Sequence, residues 1–147
     1  MKIAYRSKID KQTDGKFLVT FPDFEEAFTE GDTYEEALFN AEEVLNVTLE
    51  GRIEENFPIP LPDLITDKDE KLIFPSPRLQ SALLVKFIRG DHTLSDLART
   101  LETSWPSVAR LEDPHHWSSL KQLSKTATAL GHKLVLSFEN HHQNQNG

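Results

Sequence analysis

Cysteine is absent from this chain of 147 residues, so neither a disulfide nor a thiolate metal ligand can contribute to its stability. No apolar run approaches the roughly 18 residues that a bilayer-spanning helix requires, and no charged-then-apolar leader opens the sequence. These absences predict a soluble, cytoplasmic protein with no membrane partner. A glycine-rich phosphate loop, a nucleophile elbow and a Cys/His pair are missing as well. All six histidines lie in the second half. The adjacent pairs His115-His116 and His141-His142 lack the spacing of metal ligands, so loop and tail positions are expected, with no metal or cofactor.

Acidic charge is concentrated in one half. Residues 1–75 hold 8 Lys and Arg against 18 Asp and Glu, net −10, whereas residues 76–147 hold 8 against 6, net +2. An acidic first half suits a basic partner, while only the second half suits nucleic acid. The length allows one ordinary core or two small ones, and the change of pattern near the middle favours two.

The first pattern is that of a sheet. Ile3, Tyr5 and Ile9 alternate with Arg6 and Lys8, Lys11 to Gly15 reads as a turn, and Phe17, Val19 and Phe21 alternate through a second strand ended by Pro22-Asp23. Ala27 to Glu30 makes a third strand before Gly31-Asp32. Thr33 then opens a helix with a capping box to Glu36, and Tyr34, Ala37, Leu38, Ala41, Leu45 and Leu49 follow at helical spacing. Pro58, Pro60 and Pro62 keep the next segment extended, and Leu72 to Phe74 returns as a short strand. The fold class predicted is α+β: a small sheet with an inserted helix over residues 1–75.

The second pattern is helical. Ser76-Pro77 starts a helix carried to Gly90 by Leu79, Leu83, Leu84, Phe87 and Ile88. Leu94, Leu97, Ala98 and Leu101 form the next apolar stripe, with Ala98 suited to a close helix crossing. After a short polar break, Ser104 caps a helix with Pro106 in its first turn, Val108 and Leu111 inward, and Pro114 beyond its end. This is the layout of a helix-turn-helix, in which so short a second helix is held against its neighbours as a recognition helix. The same spacing also fits a three-helix bundle that binds no nucleic acid.

On a helical wheel Pro106, Ala109, Arg110 and Asp113 turn outward, with Ser107 on the flank. The DNA candidates are Thr93, Thr103, Ser104, Trp105, Pro106, Ser107, Ala109 and Arg110. Arg110 leads them, because a guanidinium addresses guanine bidentately; its alternative is a surface salt bridge to Glu102 or Asp113. Thr93, Thr103 and Ser104 suit backbone positioning. Trp105 suits thymine methyls or sugar, although packing in the core is the commoner place for tryptophan. Lys133 to Phe138 alternates as a C-terminal strand with no local partner, so Leu134, Leu136 and Phe138, or the opposite Val135 face, become candidates for dimerisation. The domain reading is 1–75, 76–139 and a disordered tail at 140–147.

The run FPDFEEAFTEGDTYEEALFNAEEVL at 21–45, followed by PIPLPD at 58–63, resembles the signature of HicB-type antitoxins. SPRLQSALLVKF through ARLEDPHHWSSLKQLSKTATALG resembles the helix-turn-helix version of that family, extending the likeness to about Glu139. Glu25 departs from it, where many members have proline. The resemblance implies an N-terminal domain like a truncated ribonuclease H fold. It further implies a small basic HicA-type toxin ribonuclease as partner, operator DNA bound by the C-terminal domain, and self-association as a dimer or tetramer. A catalytic ribonuclease H-like site would need converging carboxylates, one from mid-strand. Here the first strand reads IAYRSKI, so no enzymatic activity is expected, and Asp14 and Asp23 fit turns. The alternative function is a ligand-sensing helix-turn-helix regulator without a toxin partner. A small basic protein encoded beside this chain would distinguish the two.

Overall fold

The computed structural model describes residues 1–140; His141, His142 and the rest of the expected tail to Gly147 lie outside the described residues. Three strands come first, β1 (Tyr5–Lys11), β2 (Phe17–Phe21) and β3 (Phe24–Gly31), then α1 (Tyr34–Glu54) and β4 (Glu70–Ile73). Four helices follow: α2 (Pro77–Arg89), α3 (Leu94–Thr100), α4 (Trp105–Leu111) and α5 (Leu120–Ala129). The sheet has the order β3-β2-β1-β4 with every pair antiparallel. The α+β class read from the sequence is the one observed.

Alternation sets which side chains the sheet buries. Tyr5, Ser7, Val19 and Phe21 are buried beneath α1, while Arg6, Lys8, Thr20 and Phe28 turn to the other face. β3 starts at Phe24, earlier than the apolar pattern indicated, because a bulge opposite Thr20/Phe21 resets the register. A bulge inserts a residue and breaks the period-2 signal on which the sequence reading relied. Glu25 lies within this strand, exposed. Gly31 closes it where backbone meets backbone: a Cβ there would lie 2.4 Å from the amide nitrogen of Ala37.

Thr33 caps α1 as expected, its Oγ1 accepting from the Glu36 amide at 3.1 Å. The reciprocal half differs: the Glu36 carboxylate accepts from the Asp32 amide, at 3.4 Å, instead of from Thr33. Ala37, Ala41, Leu45, Thr48 and Leu49 form the buried stripe of α1. Beneath them the Tyr5 ring meets Phe24 edge-on at 4.8 Å, and its hydroxyl donates to the Pro60 carbonyl at 2.8 Å, tying the proline segment to the sheet. Burial, with Asp23 adding to it, pushes the Tyr5 phenol well above its usual range.

Two apolar clusters organise the chain. The first joins Ile3, Tyr5, Val19, Phe21, Phe24, Ala27, the α1 stripe and Ile73 to Leu79 and Leu83 of α2. The second joins Val85 of α2 to Leu97, Ala98, Val108 and Leu111, with Leu94, Leu101, Leu123 and Leu130 around it. The expected boundary at 75/76 therefore falls just before a helix that serves both clusters.

Residues 132–140 run on without a helix or ladder. The expected strand Lys133–Phe138 is not formed within the single chain, since a ladder needs a second strand and none among the described residues is paired with it. Val135, Leu136 and Phe138 are accordingly exposed, Phe138 completely. Lys2 Nζ meets Glu139 Oε1 at 2.6 Å near the end of this segment.

Candidate functional site

The unit from α3 to α4 is built by capping and by a tight turn. Thr93 Oγ1 accepts from the Asp96 amide at 3.0 Å, and Asp96 Oδ2 accepts from the Thr93 amide at 3.2 Å. That reciprocal box holds the Asp96 carboxyl below the usual carboxylate range, with Arg99 assisting. At the other end of α3 the Glu102 amide donates to Arg99 O and the Thr103 amide to Ala98 O, 3.1 and 3.0 Å, a Schellman closure with Glu102 left-handed at φ 52°. The end of α5 closes in the same way on Gly131, the residue type that the left-handed position favours. The turn between α3 and α4 thus places an acidic side chain where glycine is the easier choice.

Ser104 caps α4, its Oγ accepting from the Ser107 amide at 3.3 Å and lying 2.9 Å from Ser107 Oγ. Pro106 sits in the first turn, where no intrahelical donor is required. Val108 and Leu111 are buried, so the opposite face is presented to solvent. Thr93, Thr103, Ser104, Trp105, Pro106 and Arg110 are exposed, and Ser107 and Ala109 are half-buried. Trp105 is 53% exposed, which corrects the expectation that it packs in the core. It stands at the first helical position, on the flank of the inward stripe, and is not among the side chains of the second cluster.

Arg110 makes no ion pair among the described residues. The carboxylate nearest to it in sequence, Glu112, is committed elsewhere: Arg89 Nε and Nη2 donate to it at 2.6 and 2.9 Å, and both side chains are mostly buried. This bidentate pair fixes α4 against α2, and it holds the Arg89 guanidinium above its ordinary pKa. Arg89 also donates to the His92 carbonyl. The sequence offered no signal for the pairing, because its members are far apart along the chain and belong to different helices. Arg78 stacking on Trp117 at 5.6 Å was equally illegible. Asp113 accepts from the His115 amide at 2.9 Å, so it shapes the loop after α4.

The N-terminal unit presents a different surface. Arg6 is held by Asp23 at 3.1 Å and Asp63 at 3.7 Å, and Arg52 is held by Glu26. Among the described residues no three His, Asp or Glu side chains converge on a metal site, and no helix is long and apolar enough to cross a membrane. Two shallow clefts, of about 200 and 400 Å³, lie along α3 and α5.

Comparison with known proteins finds likeness along most of the chain. Residues 4–77 match a family described as HicB_like antitoxin of bacterial toxin-antitoxin system. Antitoxin HicB 1 of Photorhabdus laumondii is 33% identical over 137 residues, covering 93% of this chain and 88% of that one. Antitoxin HicB of Escherichia coli K12 is 31% identical over 135 residues, covering 91% and 98%. Antitoxin HicB of Pseudomonas fluorescens is 27% identical over 128 residues, covering 85% and 87%. The likeness therefore extends beyond the sheet into the helical region.

Proposed function

The chain belongs to the HicB family of antitoxins, which are not enzymes, and from that premise we propose that it has two binding activities, one for each apolar cluster. The N-terminal unit, residues 1–75 supported by α2, neutralises a small basic HicA-type ribonuclease by direct contact. The helix-turn-helix region, residues 76–139, binds operator DNA and represses the operon that encodes both proteins. Both targets, mRNA-cleaving toxin and operator, are cytoplasmic.

The observation that carries the DNA reading is the uncommitted Arg110 on the outward face of a capped, buried-backed α4. Arg110 reads a guanine edge, Trp105 and Ala109 supply apolar contact, and Thr93, Thr103, Ser104 and Ser107 place the phosphate backbone, with Pro106 shaping the approach. The hydroxyls that cap α3 and α4 accept from the Asp96 and Ser107 amides, and Ser104 and Ser107 share one further hydrogen bond. Two such units roughly 34–36 Å apart match successive major grooves. The dimer that spaces them is formed by the exposed segment bearing Leu134, Val135, Leu136 and Phe138, which pairs with its copy and removes an open apolar edge.

Co-expression with a small basic HicA-type protein tests the first activity: the two should purify together, and separate elution would count against it. Truncation after Gly131 tests the dimer. The shortened chain should sediment with a smaller mass and lose cooperative operator binding while keeping the toxin; an unchanged oligomer would exclude this segment.

A further inference from the structure

Helix α1 buries one face and exposes the other. Opposite the buried stripe of Ala37, Ala41, Leu45 and Leu49 lie Phe39, Glu43, Val47 and Glu50. Phe39 and Val47 are each 66% exposed and stand two turns apart on one line, with Glu43 between them. Glu36 and Glu54 flank the line. The helix has a single basic residue, Arg52, and its guanidinium is engaged on the buried side by Glu26 at 2.7 Å and by the Phe24 ring at 4.8 Å. A face kept only for solubility has no use for an exposed Phe and Val among carboxylates. Apolar anchors within a charged rim are the composition of a protein interface.

The chain itself shows one contact that this face makes. His115, from the loop after α4, reaches the C-terminal end of the line and places Nε2 2.8 Å from Glu54 Oε1, beside Glu50. A basic side chain from another element thus already meets one end of the line.

We propose that the outward line of α1 is the docking surface for a basic protein whose contact face has an apolar centre. On the antitoxin reading, on which this rests, that protein is the toxin. Attraction between the carboxylates and the basic face speeds encounter, and Phe39 and Val47 hold the complex once formed.

Binding of the full chain to a cleavage-inactive form of the cognate toxin tests this, with folding of each variant checked by circular dichroism. Glu43→Lys combined with Glu50→Lys should weaken binding at least about tenfold at low salt, chiefly through slower association, and flatten its salt dependence. Phe39→Ala should weaken it about tenfold or more through faster dissociation, whereas Phe28→Ser, on the uncovered face of the sheet, should leave it unchanged. Wild-type affinity in both α1 variants would overturn the proposal and leave the antitoxin reading standing. Toxin binding absent from the wild-type chain would overturn both. A lower oligomeric state of the free Phe39 variant with toxin affinity intact would assign the face to a second copy, and would also overturn it.

Discussion

Replacing Leu83 with alanine should loosen the N-terminal sheet, although Leu83 belongs to a helix beyond the last strand. Its side chain is fully buried in the cluster that contains Tyr5, Phe24, Leu45 and Ile73. Truncating such a leucine removes its transfer free energy and leaves a cavity, together about 2–5 kcal/mol. Against a total stability of about 5–15 kcal/mol this is a large share, and it should lower the urea midpoint by roughly 1–2 M. The chain offers a way to see where the loss falls. Trp105 and Trp117 are its two tryptophans and both lie in the helical region, so fluorescence follows that region, while amide exchange in β1 and β2 follows the sheet. Leu83→Ala should accelerate exchange throughout the sheet. Leu111→Ala, in the second cluster, should shift the tryptophan signal first. Unchanged sheet exchange in Leu83→Ala would refute the assignment of α2 to the sheet core and would favour a boundary at residue 75.

Arg110→Ala should weaken operator binding by about 1–3 kcal/mol, roughly fivefold to 150-fold, with toxin affinity unaltered, as measured by electrophoretic mobility shift at a fixed salt concentration. Glu102→Gly relieves a left-handed backbone position and should stabilise the helical region by about 1 kcal/mol, raising the melting temperature by a few degrees. The His115 imidazole, bonded to Glu54 with Glu50 and Asp113 nearby, should titrate above its ordinary 6.5. The tie it makes is therefore complete below that value and is lost as pH rises through the raised one. Glu54→Gln should lower the imidazole's titration toward the ordinary range, with Glu50 and Asp113 still acting on it, as read by NMR titration.

Much of this architecture is legible because it rests on local signals. The alternation of Phe17, Val19 and Phe21, the stripe from Ala37 to Leu49 and the caps at Thr33, Thr93 and Ser104 each involve residues a few positions apart. Reading fails where the deciding contact is distant or breaks the period. The bulge at Thr20/Phe21 hid the start of β3, and Leu79 and Leu83 gave no hint that their helix would be shared between two clusters. Arg110 pairs with neither Glu102 nor Asp113 among the described residues, and the Arg89–Glu112 pair that fixes α4 is announced by no spacing rule. Trp105 was misplaced because burial is a general tendency of tryptophan, whereas its position at the start of α4 decides this case.

The central claim is tested most directly by mRNA cleavage with purified components. The cognate toxin is incubated with a messenger substrate while the full chain is added in increasing amounts. Inhibition should rise linearly and become complete near one antitoxin chain per toxin, and it should persist when Arg110→Ala has removed operator binding. Undiminished cleavage in the presence of excess folded chain would contradict the account.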